Sequence, residues 1–222
     1  MDRAVDVYRR LLEHYGPQGW WPAKTSFEVV VGAILMPQTA WRNVEHAIAN
    51  LREDGLLDLG RLAGSPIGTI RRHVRVAGLH ASKPARLQGF CRHVRDMWGG
   101  DLDRFLDRDV DDVRRDLLRL PGIGPETADS ILLYAGHHPT FVVDAYTVRI
   151  GRRIGLFRSR DLRRVKAAFE ARVPRGLGTY REYHALLVEH AKARCRPRPR
   201  CSGCPLWWIC DHGRKTYGPD VS

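Results

Sequence analysis

Apolar residues along this chain recur at three- and four-residue spacing, the period that gives a helix one buried face. The pattern predicts helices over 4–14, 26–36, 43–52, 84–98, 111–118, 126–135, 146–156, 162–173 and 180–193. Period-two alternation is almost absent, so the expected fold class is all-α. Polar residues mark the helix starts. Ser26 stands before the second segment, and Ser82 before another that has Pro84 in its first turn. Asp109 precedes a third, with Asp111 and Asp112 in its first turn. Short polar side chains satisfy orphan amides at such starts, and acidic ones meet the positive end of the helix dipole. No internal repeat or long linker breaks the series. From Gly213 onward the chain reads GRKTYGPDVS, which predicts a loose polar tail.

Composition narrows the function. The 222 residues allow one large domain or two small lobes, and 43% hydrophobic content suffices for a core. Lys and Arg number 37 against 25 Asp and Glu, a net charge of +12. Such an excess predicts an anionic partner, nucleic acid above all, against the alternative of a merely basic soluble protein. Arginine dominates, and no lysine lies between Lys83 and Lys166. The longest apolar stretch, Phe27 to Met36, is broken by Glu28 and is too short to span a bilayer. The opening MDRAVDVYRR lacks a signal-peptide pattern. The expectation is an intracellular protein without a membrane partner, cytoplasmic or, in a prokaryote, associated with the nucleoid.

Candidate chemistry concentrates in three places. Four of the five cysteines form Cys195-x5-Cys201-x2-Cys204-x5-Cys210. Thiolates this dense in an intracellular chain predict a metal centre, with iron–sulfur cluster and zinc both open on spacing alone. Arg194, Arg196, Arg198 and Arg200 interleave with the first two, as suits a clamped loop pressed on phosphate. Cys91 stands apart and reads as a core thiol. Next, Leu117-Leu118-Arg119-Leu120-Pro121-Gly122-Ile123-Gly124-Pro125-Glu126-Thr127-Ala128 joins two helices by a tight turn. Its glycines let backbone amides meet phosphate without a basic side chain, although a plain helix connection would read alike. Finally, Phe141-Val142-Val143-Asp144 ends an apolar run and opens a helix. Asp144 is first a candidate N-cap. A carboxylate so placed is held ionised by the dipole, as stabilising a developing sugar cation requires, so both roles are compatible.

The order hairpin, VVDAYTVR, four C-terminal cysteines resembles the helix-hairpin-helix DNA glycosylase superfamily in its endonuclease III branch, from about Trp20 to Cys210. The resemblance implies two helical lobes flanking a DNA-binding cleft. One would span 23–134 and end in the helix-hairpin-helix. The other would join 1–22 to 135–222 and carry the cluster loop, 195–210. It further implies catalysis by Asp144, a 4Fe–4S cluster on Cys195, Cys201, Cys204 and Cys210, and DNA contacts by Leu120, Gly122, Ile123 and Gly124. The implied partner is double-stranded DNA containing a damaged base, bound by a monomer. The first cysteine gap is one residue shorter than the commonest spacing of that branch.

One departure bears on mechanism. Bifunctional members carry a lysine two residues after the second hairpin glycine, where its amine forms a Schiff base with the sugar. Here that position is Glu126, and a carboxylate cannot form an imine. The expectation is therefore a monofunctional glycosylase without lyase activity. Gly19-Trp20-Trp21-Pro22, Trp41 after Gln38-Thr39-Ala40, and Glu126 resemble the 3-methyladenine DNA glycosylases of endonuclease III type. In that subgroup aromatics line the base pocket, which assigns Trp20, Trp21, Pro22, Trp41 and Glu126 to it. Core packing is the alternative for the tryptophans, although two adjacent ones cannot both face one core from a helix. Alkylated purines are cationic, and indole faces attract cations. By resemblance Gln38 fills the gap left by a flipped base, although Pro37-Gln38 departs from that subgroup's Gln-Asn, and Leu79 wedges the opposite strand. Glu126 either adds negative potential or is a solvated helix residue. Arg149, Arg152 and Arg153 either track phosphate or are solvated. Rival readings are a glycosylase for oxidised or deaminated bases, a catalytically silent DNA-binding relative, and a lyase using a displaced amine.

Overall fold

The computed structural model of the chain describes residues 2–79 and 81–217. His80, beside Leu79, and the last five residues of the polar tail lie outside the described residues. The described residues are helical without a strand, as the periodicity predicts. None of the helices is long and apolar enough to cross a membrane. Two compact units divide the chain: Met1–Trp21 with Pro139–Ser222, and Pro22–His138. The joints thus fall at Trp21/Pro22 and His138/Pro139, where the resemblance implied 22/23 and 134/135.

The chain begins in the first unit with α1 (Arg3–Tyr15), capped by Asp2, whose carboxylate accepts from the Ala4 amide. It then builds the whole second unit. Helix α2 (Ser26–Leu35) is buried all round from Glu28 to Leu35, so it is that unit's central helix. Its cap is Thr25, which accepts from the Glu28 amide, while Glu28 accepts from Lys24 N. Ser26 therefore sits inside the first turn, not before it. Around α2 come α3 (Trp41–Glu53), α4 (Leu59–Gly64), α5 (Ile67–Val74), α6 (Ser82–Trp98) and α7 (Leu102–Leu106). The pattern missed α4, α5 and α7, the longest of which spans only about two periods. Helix α6 starts at Ser82 but draws no side-chain cap, which corrects that expectation. Phe90 and Phe105 meet edge to face at 6.1 Å between ring centres, at a contact between α6 and α7. Cys91 is fully buried beside them, and burial pushes its thiol up to about 12, so it is inert.

Helices α8 (Val110–Arg119) and α9 (Pro125–Ser130) complete the second unit and form the hairpin. Asp109 caps α8 as expected, accepting from the amides of Asp111 and Asp112. Arg114 of α8 grips the buried Asp129 of α9 with two hydrogen bonds, at 2.7 and 3.3 Å. After Ser130 the helix widens into a π-helical turn, Ile131–Ala135.

The chain then returns to the first unit as α10 (Ala145–Arg153), α11 (Leu162–Glu170), α12 (Leu177–Ala193) and α13 (Asp211–Tyr217). Its core is aromatic. Phe141 stacks on Phe169 at 4.5 Å, and Tyr180 and Tyr183 meet Phe141 edge on. The Tyr183 hydroxyl donates to Ala4 O, which ties α12 to α1. Helix α13 takes in Gly213 to Tyr217, so this part of the expected loose tail is helical. Its Gly213 packs on the Trp207 ring and donates to Cys210 Sγ at 3.4 Å.

Candidate active site

Within the first unit, the apolar run Phe141–Val143 is buried and fixes the start of α10. Asp144 caps that helix: Thr147 N donates to its Oδ1 at 2.6 Å. The residue is only 9% exposed. Burial alone would raise its pKa. The nearby His184 imidazole, with the Thr147 amide, outweighs burial and holds the carboxyl below the usual carboxylate value. His184 Nε2 lies 3.5 Å from Asp144 Oδ2. Sequence reasoning missed His184. It sits on the apolar face of α12, where a histidine reads as packing, and no local signal marks it.

The same imidazole carries the site on to the tryptophans. Trp20 lies 5.8 Å from the His184 ring and 5.7 Å from Trp21, centre to centre. Both indoles stand on a non-helical segment, so the helix-face argument does not apply to them. Lys192 Nζ lies 5.8 Å from the Trp20 ring centre, a cation beside a π-face. Asp144, His184, Trp20 and Trp21 thus form one contiguous group of acid, imidazole and indoles.

The other site residues inferred from the sequence belong to the second unit. Pro22 and Glu126 are exposed, the latter in the first turn of α9, and Trp41 is half-buried at the start of α3. Gln38 and Leu79 share a backbone signature. They have φ of 59° and 47°, left-handed values that only one other described non-glycine residue adopts. Such outliers point from strain to function. Leu79 is also among the exposed large hydrophobic residues. In the hairpin, Gly122 has φ 81°, and a Cβ there would strike the Arg86 side chain. Ile123 N donates to Leu120 O, while among the described residues no acceptor meets the amides of Gly122 and Gly124. Leu120 is half-buried and Ile123 is buried, so Ile123 offers a partner its backbone, not its side chain.

All four C-terminal cysteines line one cavity of the first unit, about 330 Å³ of atom-free space including the part open to solvent. Burial above all, with the neighbouring thiols of Cys210, Cys195 and Cys201, pushes Cys204 up to about 11. Cys201 and Cys210 are raised for the same reasons. Among the described residues no three His, Cys, Asp or Glu side chains converge to hold a single metal ion. The loop is braced by arginine. Arg149 Nε donates to Cys195 O at 2.8 Å, and Arg153 to Arg196 O and Pro197 O at 2.6 and 2.7 Å. Arg194 donates to the loop carbonyl of Ser202 and Arg196 to Lys192 O at the end of α12, whereas Arg198 and Arg200 extend exposed.

Residues 31–175 match the HhH-GPD superfamily base excision DNA repair protein family. The chain belongs to that superfamily. A Methanocaldococcus jannaschii protein, described provisionally as a DNA repair glycosylase, is 41% identical over 92% of this chain and 94% of its own length. Bacillus subtilis endonuclease III is 27% identical over 85% of this chain and 82% of its own. Among solved HhH-GPD-type folds, H. pylori 3-methyladenine DNA glycosylase bound to 1,N6-ethenoadenine aligns with a TM-score of 0.77. That alignment has 24% identity and covers 85% of this chain and 97% of that one. A non-covalent endonuclease III–DNA complex aligns with a TM-score of 0.81 at 21% identity, over 97% and 98%. Both likenesses establish the fold.

Proposed function

We propose that this HhH-GPD protein is a monofunctional DNA glycosylase that releases an N3- or N7-alkylated purine flipped from duplex DNA. The observation that carries the reading is the buried carboxylate of Asp144, kept ionised beside His184 and in one group with two indoles. A cationic purine stacks on an indole face. Its C1′–N bond breaks with the electron pair going to the base, which leaves neutral and needs no general acid. Asp144 stabilises the cationic sugar, and water adds to C1′ and yields its proton to solvent. Glu126 replaces the amine that a lyase would use, which supports hydrolysis without strand cleavage. Gln38 and Leu79, both on left-handed backbone, suit residues that hold a flipped base out. Under this reading the two units are the two lobes of the family and the protein acts as a monomer.

We further propose that the cysteine cavity takes a 4Fe–4S cluster. Four thiols lining one space suit a bridging sulfide cluster, the group that the endonuclease III resemblance implies. The group would supply order to the 195–210 loop, and Arg198 and Arg200 would present that order to phosphate.

Duplex DNA methylated to contain 3-methyladenine and 7-methylguanine tests the reading, with released bases separated, nicking followed, and borohydride added in parallel. Release without nicking or a trapped adduct is expected. A borohydride-trapped protein–DNA adduct overturns the monofunctional mechanism. Release only from thymine glycol, uracil or hypoxanthine sites moves the substrate to the oxidised or deaminated class. Damage-specific binding with no release at any lesion marks a silent relative.

His184 has its own test. The nearby imidazole is the largest effect lowering the Asp144 pKa. In His184→Ala that pKa rises, so the acid limb of base release moves to higher pH. An acid limb unmoved from wild type removes His184 from the site.

A further inference from the structure

The basic face of α10 divides into two parts with different duties. Arg149 and Arg153 are spent on carbonyls of the cysteine loop. Arg152 is left to a groove of the first unit, which all three arginines line together with Arg158, Arg160 and Lys215. This groove holds about 2000 Å³ of atom-free space, including the part open to solvent. Arg152, Arg158, Arg160 and Lys215 are all exposed, and among the described residues no carboxylate pairs with any of them. The single carboxylate among the groove's lining residues, Asp211, is paired with Arg3 at 3.1 Å. Arg3 also donates to Ile154 O at 2.7 Å, which fixes that pair beneath the backbone at Gly155. Beside Arg149 and Arg153, the groove therefore carries four cations whose charge no acid among the described residues neutralises, along a walled path. Placing them there costs repulsion that only an anion relieves.

We propose that this groove seats backbone phosphates of the DNA duplex on one side of the lesion, beyond the nucleotide that reacts. The inference rests on the glycosylase reading and extends the DNA path away from its site. Helix α10 supplies the scale. It starts beside Asp144 and ends at Arg153, and its nine residues advance about 12 Å at ~1.5 Å each. At about 3.4 Å per nucleotide along one strand, that is about four nucleotides from the reacting sugar. A duplex ending closer than that on the groove side does not reach the cations. The contact reads phosphate and not base, so it is independent of sequence.

The experiment measures Kd across a salt series for duplexes with a reduced abasic analogue. Each duplex extends either about three or about ten base pairs on one side of the analogue, and the two sides are tested in turn. The wild-type chain is compared with Arg158→Ala/Arg160→Ala/Lys215→Ala, and with Arg152→Ala, after thermal unfolding has shown that each is folded. Each phosphate contact contributes about 0.9 to the slope of log K against log salt. Lengthening one side should steepen the wild-type slope by two to three such contacts, and the triple variant should lack that increment. Between 50 and 200 mM salt the wild type would then lose roughly ten- to fortyfold more affinity for the long duplex than the triple variant. Equal slopes for wild type and triple variant on the long duplex overturn the proposal, and leave the groove for another anion such as an acidic protein segment. A slope reduced equally on long and short duplexes overturns it too, because the cations would then act only through overall charge. The catalytic reading is tested separately by base release, so either can fail alone.

Discussion

Asp144→Asn lowers base release by about 10²–10⁴-fold while damaged duplex is still bound. Asparagine is chosen because it caps a helix as well as aspartate does. Its side-chain oxygen can keep the bond from Thr147 N, so α10 and the fold stay intact. Only the negative charge is lost. Alanine would also remove the cap, at about 1 kcal/mol, and mix a stability effect into the rate. Single-turnover release together with a binding titration reads the two quantities apart. A variant that releases base at the wild-type rate would show that Asp144 is a cap and nothing more. The pH dependence has a definite sign. Asp144 is held below the ordinary carboxylate value, near 3.9, so it is charged throughout the neutral range. The rate it supports is present above that value and is lost as the pH falls through the depressed one. The same holds for the stability it contributes: a carboxylate with a lowered folded-state pKa stabilises above its unfolded value and ceases to do so on acidification.

Under the proposed cluster assignment, Cys204→Ser is expected to cost the cavity its iron. Cys204 is the thiol that burial pushes up to about 11, and its Sγ lies 3.8 Å from His190 Nε2. Four thiols this close resist ionising together unless a metal holds their charge. Even an outer-shell change costs 10–100-fold in metal affinity, so loss of a ligand should lower iron content by more than about tenfold. The loop 195–210 then loosens, and the carbonyls that Arg149 and Arg153 grip lose their fixed positions. DNA affinity falls with them. Chemical analysis of iron and acid-labile sulfide in protein purified without air, with zinc measured alongside, reads the cofactor directly. Stoichiometric zinc without sulfide in the wild-type chain would overturn the cluster assignment. Unchanged iron in the variant would remove Cys204 from the ligand set.

Much of this was legible in the chain itself. Helices such as α3, α6 and α12 announce themselves because their apolar period is a local property of side-chain spacing. The same is true of the Asp109 and Asp144 caps, where a short acid precedes a periodic run, and of the order of hairpin, aspartate and cysteines, which carried the family. Local pattern also erred where the signal is a single residue or a single turn. The cap of α2 is Thr25, one position before Ser26, and α4, α5 and α7 span about two periods at most. The residues Gly213–Tyr217 are helical because Gly213 closes on Trp207 and Cys210, which no polar count reveals. The site's finer character was decided only in three dimensions. His184 reaches Asp144 from a distant helix, and the same imidazole meets Trp20. Arg149, Arg152 and Arg153 all line one groove, but Arg149 and Arg153 are also spent on the cysteine loop. Spacing along the chain fixes which face of a helix a residue occupies. What stands opposite that face depends on how distant helices pack, and it is that neighbour which sets a charge, a pKa or a binding surface.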